Sequence, residues 1–230
     1  MTPYLSLVLP AYQEAERLPG TLVDIQRVLE GVNYEVVVVA RGDDGAAEGA
    51  DRLGPPVRVL RVEFPGKGFA VRCGVEVAEG SIIGFMDADG KVSASEIRKI
   101  WAPLARGAQV VIGSRRVPGA QIEQPQPFTR RIGSHVFGAI IRSVTGLHDI
   151  PDTQCGFKFF RRAEARCLFS RQRVDGYMFD VEVLVLARRA GYRIEQVPVR
   201  WRDDGNSRFR LVSGTARNLV DLLRIRRIAA

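Results

Sequence analysis

The 230-residue chain has only three cysteines, Cys73, Cys155 and Cys167, and no two of them form a C-x-x-C pair. This disfavours a disulfide framework or a zinc site, and the sparse thiols suit a reducing cytoplasm. No apolar run reaches the roughly 18 residues needed to cross a bilayer. The N-terminus passes directly into Tyr4-Leu5-Ser6-Leu7-Val8-Leu9, without the basic start or the length of a secretory leader. There is no G-x-G-x-x-G after the first apolar run and no G-x-x-x-x-G-K-[ST] anywhere, which disfavours dinucleotide dehydrogenases and P-loop NTPases. Acidic residues are scarce in two stretches. From Arg200 to Ala230, eight arginines face Asp203, Asp204 and Asp221, and from Phe128 to Leu147, Arg130, Arg131 and Arg142 face no acid. These stretches account for the net charge of +8. Nucleic acid, an anionic membrane or a phosphorylated substrate would each suit that charge, and charge alone does not choose among them. No recognisable nucleic-acid motif carries either stretch.

What is present centres on Gly84-Phe85-Met86-Asp87-Ala88-Asp89. Ile82, Ile83, Phe85 and Met86 suit a buried central strand, and two carboxylates stand where it stops. By itself the pair admits two readings. Asp89-Gly90 is a turn and Asp87 a cap, or the two acids share a cation that offsets their repulsion. Hard oxygen ligands of this kind suit Mg²⁺ or Mn²⁺, ions that usually also hold substrate phosphates.

Around that stretch, strands alternate with helical patterns. Tyr4–Leu9, Glu35–Ala40, Val57–Val62, Ile82–Met86 and Gln109–Gly113 read as strands. Leu18, Leu22, Ile25 and Leu29 recur at helical spacing, Phe69–Ala78 is a small-residue helix, and Ser93 with Glu96 forms an S-x-x-E capping box. The alternation predicts a doubly wound, mostly parallel α/β sheet. Its strand-end loops carry Tyr12, Glu14, Asp43, Asp44, Lys67, Asp87, Asp89 and Arg115, a convergence suited to a nucleotide. Residues 118–127 read as a mobile loop. Ile132, Val136, Ile140 and Val144 mark one face of a helix flanked by arginines, either a core helix or one lying on a membrane. Tyr192–Trp201 is a last strand. Val212, Ala216, Leu219, Val220 and Leu223 form the apolar stripe of a final helix ending in Arg224, Arg226 and Arg227. Those cations complement the helix dipole or hold an anionic lipid surface. The layout is one domain over 1–230, with a nucleotide-binding half (1–116) and an acceptor-binding half (117–230).

Seven motifs in order give the chain a resemblance. They are Pro10-Ala11-Tyr12-Gln13-Glu14, Gly66-Lys67-Gly68, Asp87-Ala88-Asp89, Gly113-Ser114-Arg115, Asp152-Thr153-Gln154-Cys155-Gly156-Phe157-Lys158, Asp175-Gly176-Tyr177-Met178-Phe179-Asp180-Val181-Glu182 and Val197-Pro198-Val199-Arg200-Trp201. Together they resemble family 2 glycosyltransferases of the GT-A fold, in the group of dolichyl-phosphate mannose synthases and dolichyl-phosphate β-glucosyltransferases. The resemblance implies a GT-A sheet with a C-terminal amphipathic helical extension. It implies an inverting hexosyl transfer from a nucleotide sugar (UDP- or GDP-hexose) to a polyprenyl phosphate, with Mg²⁺ or Mn²⁺ as cofactor.

By that resemblance, Pro10, Ala11, Tyr12 and Glu14 hold base and ribose. Asp87, Ala88 and Asp89 serve the metal and the donor diphosphate, with Asp87 and Asp89 as ligands and Asp89 as a catalytic residue. Lys67 and Arg208 add positive charge at the departing diphosphate. Arg115, with Arg131 as a second candidate, meets the acceptor phosphate. Gln154 lines the sugar pocket, and Ser207 with Arg208 matches a loop that closes over the donor. A phosphate acceptor needs little base catalysis; for a hydroxyl acceptor Asp180 or Glu182 is the candidate base, and Glu182 also suits a helix cap. The expected setting is cytoplasmic, with a peripheral place on the inner face of a membrane left open.

One stretch departs from the family pattern. Where the family has D-D-G-S, this chain has Ala40-Arg41-Gly42-Asp43. Asp43 or Asp44 through a shifted loop, a phosphate on Arg41, or a different donor nucleotide would each accommodate the change. Lys91 stands where mannose synthases can carry a metal-supporting glutamine, which weakens the case for strict metal dependence. The alternatives are a transferase of the same fold with a small soluble acceptor and a non-catalytic nucleotide- or membrane-binding module.

Overall fold

The runs Leu5–Leu9, Val36–Ala40, Ile82–Met86 and Val110–Ser114 are buried on both faces, as the centre of a parallel sheet requires. The computed structural model describes residues 2–42, 45–124, 128–202 and 211–229. Strands β1 (Leu5–Tyr12), β2 (Tyr34–Arg41), β3 (Val57–Arg61), β4 (Ile82–Met86), β5 (Val110–Ser114), β7 (Phe157–Arg161) and β8 (Ile194–Pro198) make a seven-stranded sheet in the order β3-β2-β1-β4-β7-β5-β8. All pairings are parallel except those of β7, which runs antiparallel to both neighbours. A strand from the C-terminal half therefore inserts between two strands of the N-terminal half. The expected nucleotide and acceptor halves share one sheet.

The chain steps outward from β1 to β2 and β3, then returns to place β4 on the other side of β1. That reversal opens a crevice beyond the carboxyl ends of β1 and β4, the usual ligand position in open α/β sheets. Tyr12 ends β1, Arg41 ends β2 directly beside it, and Asp87 follows β4.

One face of the sheet is covered by α1 (Leu18–Val28) and by a 3₁₀ stretch Ala94–Ile100 that runs into the short α4 (Trp101–Ala105). The other carries α3 (Lys67–Val77), α6 (Arg162–Arg171) and α7 (Phe179–Arg189). Helix α2 (Ala46–Asp51) packs beside β2 and β3. Ser93 caps its stretch by accepting from Ser95 N, and Glu96 pairs with Lys99 at 2.6 Å, so the reciprocal box expected of Ser93 and Glu96 does not form. The predicted last strand divides into β8 and β9 (Arg200–Arg202). β9 pairs in parallel with β6 (Gln121–Gln124), inside the segment expected to be a loop.

The two amphipathic helices leave part of their apolar stripes exposed. Helix α8 (Leu211–Ala229) buries Leu222 and Ile225 in the sheet-covering layer, while Leu219, Val220 and Leu223 of the expected apolar stripe are exposed. Helix α5 (Phe128–Thr145) packs beside α8, buries Ile141 and exposes Ile132, Val136 and Ile140. Among the described residues no helix is long and apolar enough to cross a membrane.

Candidate active site

Asp87 lies at the crevice because β4 is central and ends there. Its backbone N donates to Gly156 O at 3.1 Å, which ties it to the Asp152–Gly156 turn. A Cβ on Gly156 would fall on the Asp87 carboxylate, so that position of the turn requires glycine. Asp89 is largely buried; its Oδ1 accepts from Lys91 N at 3.1 Å, and Thr21 of α1 donates to Ala88 O at 2.9 Å. Burial, reinforced by the neighbouring Asp87, raises the Asp89 pKa above the ordinary carboxylate value.

Each carboxylate has a lysine. Lys67 Nζ is 2.6 Å from Asp87 Oδ1, and Lys91 Nζ is 3.8 Å from Asp89 Oδ2. Lys67 opens α3, and its flanking glycines explain how it arrives. Gly66 has φ +137° and Gly68 N donates to Asp175 O at 2.9 Å; a side chain at either glycine would collide with the 172–179 segment. Two motifs about a hundred residues apart thus meet to deliver one ammonium group. Burial opposes the Lys67 charge, but the carboxylates of Asp87, Asp180 and Asp89 outweigh it and hold its pKa above the usual value.

Behind this pair lies a second. Lys158 on β7 is fully buried, ion-paired with Asp180, donates to Cys155 O at 2.8 Å, and stands 5.6 Å over the Phe85 ring. Asp180 is buried too, and burial raises its pKa against the pull of Lys158 and Lys67. The Cys155 thiol, wholly buried, is pushed up to about 12. Glu182 accepts from the backbone N of Arg173 and Val174, at 2.8 to 3.0 Å. It holds the turn leading into α7, and burial raises its pKa.

Arg115 is clamped. Its Nε and Nη2 donate to Asp152 at 2.8 and 2.7 Å, its backbone N donates to the same carboxylate at 2.8 Å, and Trp201 lies 5.5 Å away. Burial opposes ionisation of Asp152, but the Arg115 charge and hydrogen bonds outweigh it and hold the carboxyl below its ordinary value. At the other rim Arg41 lies 4.9 Å over the Tyr12 ring, and Glu14 is bidentate to Arg17 at 2.8 and 2.9 Å.

A model of "Glycosyl transferase family 2" matches residues 6–169. The chain belongs to glycosyl transferase family 2. Among family-2 relatives, a dolichyl-phosphate beta-glucosyltransferase of Trichomonas vaginalis is 34% identical over 96% of this chain and 72% of its own length. One from Drosophila melanogaster is 35% identical over 89% of this chain and 69% of its own. Among solved structures, Mycobacterium tuberculosis glucosyl-3-phosphoglycerate synthase superposes with a TM-score of 0.74 at 22% identity, covering 97% of this chain and 80% of that one. The same synthase in complex with Mn²⁺, UDP and phosphoglyceric acid gives a TM-score of 0.75 at 21% identity, covering 97% and 78%. These neighbours share the GT-A fold.

In this family-2 chain the structure brings Pro10, Ala11, Tyr12, Lys67, Asp87, Ala88 and Asp89 to the carboxyl edge of the sheet. Gln154 reaches it too, its amide 3.6 Å from Met178 Sδ. Arg131 falls in the first turns of α5; its side chain, like Ser207, Arg208, Asp43 and Asp44, lies outside the described residues. Lys158 stands in the Asp152–Lys158 motif, but no spacing there pointed to its buried pairing with Asp180. Its one signal was a lysine inside the apolar Phe157–Phe160 strand, where only a buried partner makes the charge tolerable.

Proposed function

We propose that the chain transfers a hexose, in the first instance glucose, from a nucleoside diphosphate sugar to a polyprenyl phosphate, inverting the anomeric centre. The observation carrying this reading is the pairing of Asp87 and Asp89 with Lys67 and Lys91 at the β1/β4 crevice. Its context is a family-2 chain whose relatives are named dolichyl-phosphate beta-glucosyltransferases.

Two hard carboxylates fit a Mg²⁺ or Mn²⁺ ion that takes its other ligands from a diphosphate and water. Among the described residues no group of three or more His, Cys, Asp or Glu gathers there, so Asp87 and Asp89 are the residues that would hold the ion. Bound there, the ion supplies Lewis-acid stabilisation of the leaving diphosphate.

The chain's own residues do the rest. A phosphate oxygen of the acceptor forms its bond to the anomeric carbon as the bond to the donor diphosphate breaks, and the nucleoside diphosphate leaves with the electron pair. The acceptor is already anionic, so no base is required. Lys67 places a fixed cation, largely withdrawn from water, beside the position where leaving charge develops. Asp180 does not serve as a base in this scheme: paired with Lys158, it holds the floor beneath Lys67. Tyr12 and Arg41 supply a stacked face for the base in place of the missing acids.

The outward apolar residues of α5 and α8, together with Arg217, Arg224, Arg226 and Arg227, support a peripheral place on an anionic membrane, on its cytoplasmic face.

The test offers UDP-, GDP- and dTDP-glucose, radiolabelled in the sugar, with and without Mn²⁺ and a short polyprenyl phosphate. Label should enter organic solvent only when the lipid phosphate is present. Label confined to water-soluble product would replace the acceptor class. No turnover of any donor, with no donor shifting the melting temperature, would remove the enzyme reading.

A further inference from the structure

Lys67 stands at the first position of α3, so its ammonium lies where the start of that helix puts it. Nothing within α3 fixes the start: Gly66, which precedes it, has no side chain to cap the first amides. The cap comes from across the fold. Asp175 O accepts from Gly68 N at 2.9 Å and from Phe69 N at 3.2 Å. Those two amides are engaged, and what α3 brings to Asp87 is the lysine side chain.

The turn carrying that carbonyl is itself gripped by α3. Arg72 follows Gly68 by four positions and Phe69 by three, which places it on the same side of the helix. Its Nη2 donates to Asp175 Oδ1 at 2.8 Å and its Nη1 to Gln172 O at 3.2 Å, while its guanidinium lies 5.3 Å from the Phe69 ring. Asp175 thus meets α3 twice, with its carbonyl on the first turn and its carboxylate on the second. Within the same segment, Gln172 Nε2 donates to Val174 O at 2.7 Å, and Glu182 accepts from Arg173 N and Val174 N. A Cβ on Gly68 would stand 2.6 Å from Val174 O and 2.9 Å from Gln172 Nε2, so helix and turn are in direct contact.

The Arg72–Asp175 pair is partly exposed, with 27% and 35% of the two side chains accessible, and pairs of that kind add little to stability. Its effect lies in position. A lysine stem is long and flexible, so its ammonium stays beside one carboxylate only when the backbone at its root and the groups around it are fixed. Lys67 has Asp87 at 2.6 Å and the Phe179 ring at 5.9 Å, and Phe179 opens α7 directly after the turn. A shift of the turn would move the root of Lys67 and the ring beside it together.

We propose that Arg72 and Asp175 are positioning residues for the reaction: their ion pair locks the 172–179 segment onto the first two turns of α3 and so holds Lys67 beside the departing diphosphate. The proposal rests on the reading of Lys67 as a cation facing the donor diphosphate. Both residues act through Lys67 and not on the donor themselves.

The experiment titrates UDP, and GDP in parallel, into the full-length chain with Mn²⁺ by calorimetry. It compares wild type with Arg72→Met, Asp175→Asn, Arg72→Lys and Lys67→Met, with Arg72→Met and Asp175→Asn each repeated in the Lys67→Met background. Arg27→Met, which breaks an exposed ion pair on α1, is the control. Arg72→Met and Asp175→Asn should each weaken the tighter-binding nucleotide about tenfold, with the melting temperature nearly unchanged. Arg72→Lys, which keeps the charge but loses the two-pronged reach to Asp175 and Gln172, should weaken it less. Lys67→Met should lose at least as much as Arg72→Met, and adding Arg72→Met or Asp175→Asn to it should cost no further affinity. In transfer assays the loss should fall on kcat/KM for the donor and leave the acceptor KM in place. An ion pair that only supports the fold would add its loss to that of Lys67→Met, and this additive result overturns the proposal while Lys67 keeps its role. Unchanged affinity in Arg72→Met and Asp175→Asn overturns it as well, as does an equal loss in Arg27→Met. If Lys67→Met binds both nucleotides as wild type does, or wild type binds neither, the donor-side reading of Lys67 falls and the proposal falls with it.

Discussion

Lys67 and Asp87 form a 2.6 Å ion pair at the mouth of the crevice, and the same ammonium is held from behind by Asp180. The donor site therefore carries its own cation next to its first carboxylate. Replacing Lys67 with methionine should cost the diphosphate one charge-assisted bond, worth about 1.5–3 kcal/mol. That corresponds to a roughly 10- to 150-fold loss in kcat/KM for the donor. Calorimetric titration with nucleoside diphosphates checks it, and unaltered affinity in Lys67→Met would exclude the role.

Asp89→Ala should abolish transfer, and substantial residual activity would remove the metal role from this residue. Lys91 sits 3.8 Å from Asp89 and competes with any bound cation for that carboxylate. Lys91→Gln should accordingly bind Mn²⁺ several-fold more tightly, read by electron paramagnetic resonance of the free ion. Equal or weaker Mn²⁺ binding in Lys91→Gln would contradict the competition.

Lys158 and Asp180 are both buried, so removing one leaves a stranded charge. Lys158→Met should cost about 3–5 kcal/mol of stability, and Lys158→Met combined with Asp180→Leu should recover much of it. Denaturant melts of the single and double variants measure this. If activity fails to return with stability in the double variant, the pair also positions Lys67.

Asp152 titrates below its ordinary value of 3.8 in the folded chain because Arg115 holds the charged form. Its contribution to stability is therefore complete above about pH 4 and is lost as pH falls through the lower folded value. Asp152→Asn should lower the melting temperature at neutral pH and make the decline below about pH 4 shallower. An acid limb identical to wild type would show that other carboxylates govern it.

Leu219 and Leu223 are exposed on α8, the latter at 59%. Leu219→Ser with Leu223→Ser should leave the melting temperature nearly unchanged and reduce flotation with vesicles containing phosphatidylglycerol. Undiminished flotation would sink the membrane role of this face.

Much of the site was legible in sequence because its chemistry lies at strand ends. Asp87 and Asp89 follow an apolar run, Lys67 is bracketed by Gly66 and Gly68, and Gly156 closes a polar turn. Such features are local, and one chain segment carries each of them. The order of the seven motifs was enough to point to the family, and the alternation of strands and helices to the parallel sheet.

The tertiary structure decided which charges meet. Arg72 reaches Asp175 across 103 positions and Arg115 reaches Asp152 across 37, and no local pattern records either pairing. It assigned Arg115 to a clamp with Asp152, while Arg116, its neighbour of the same residue type, shares the Pro151 carbonyl with Arg142. It inserted β7 antiparallel between β4 and β5, which carried Lys158 beneath the site. It also left Ile132, Val136 and Ile140 of α5 and Leu219, Val220 and Leu223 of α8 exposed. Helical spacing establishes that an apolar stripe exists, but only the packing of neighbouring elements determines whether that stripe or the one beside it is covered.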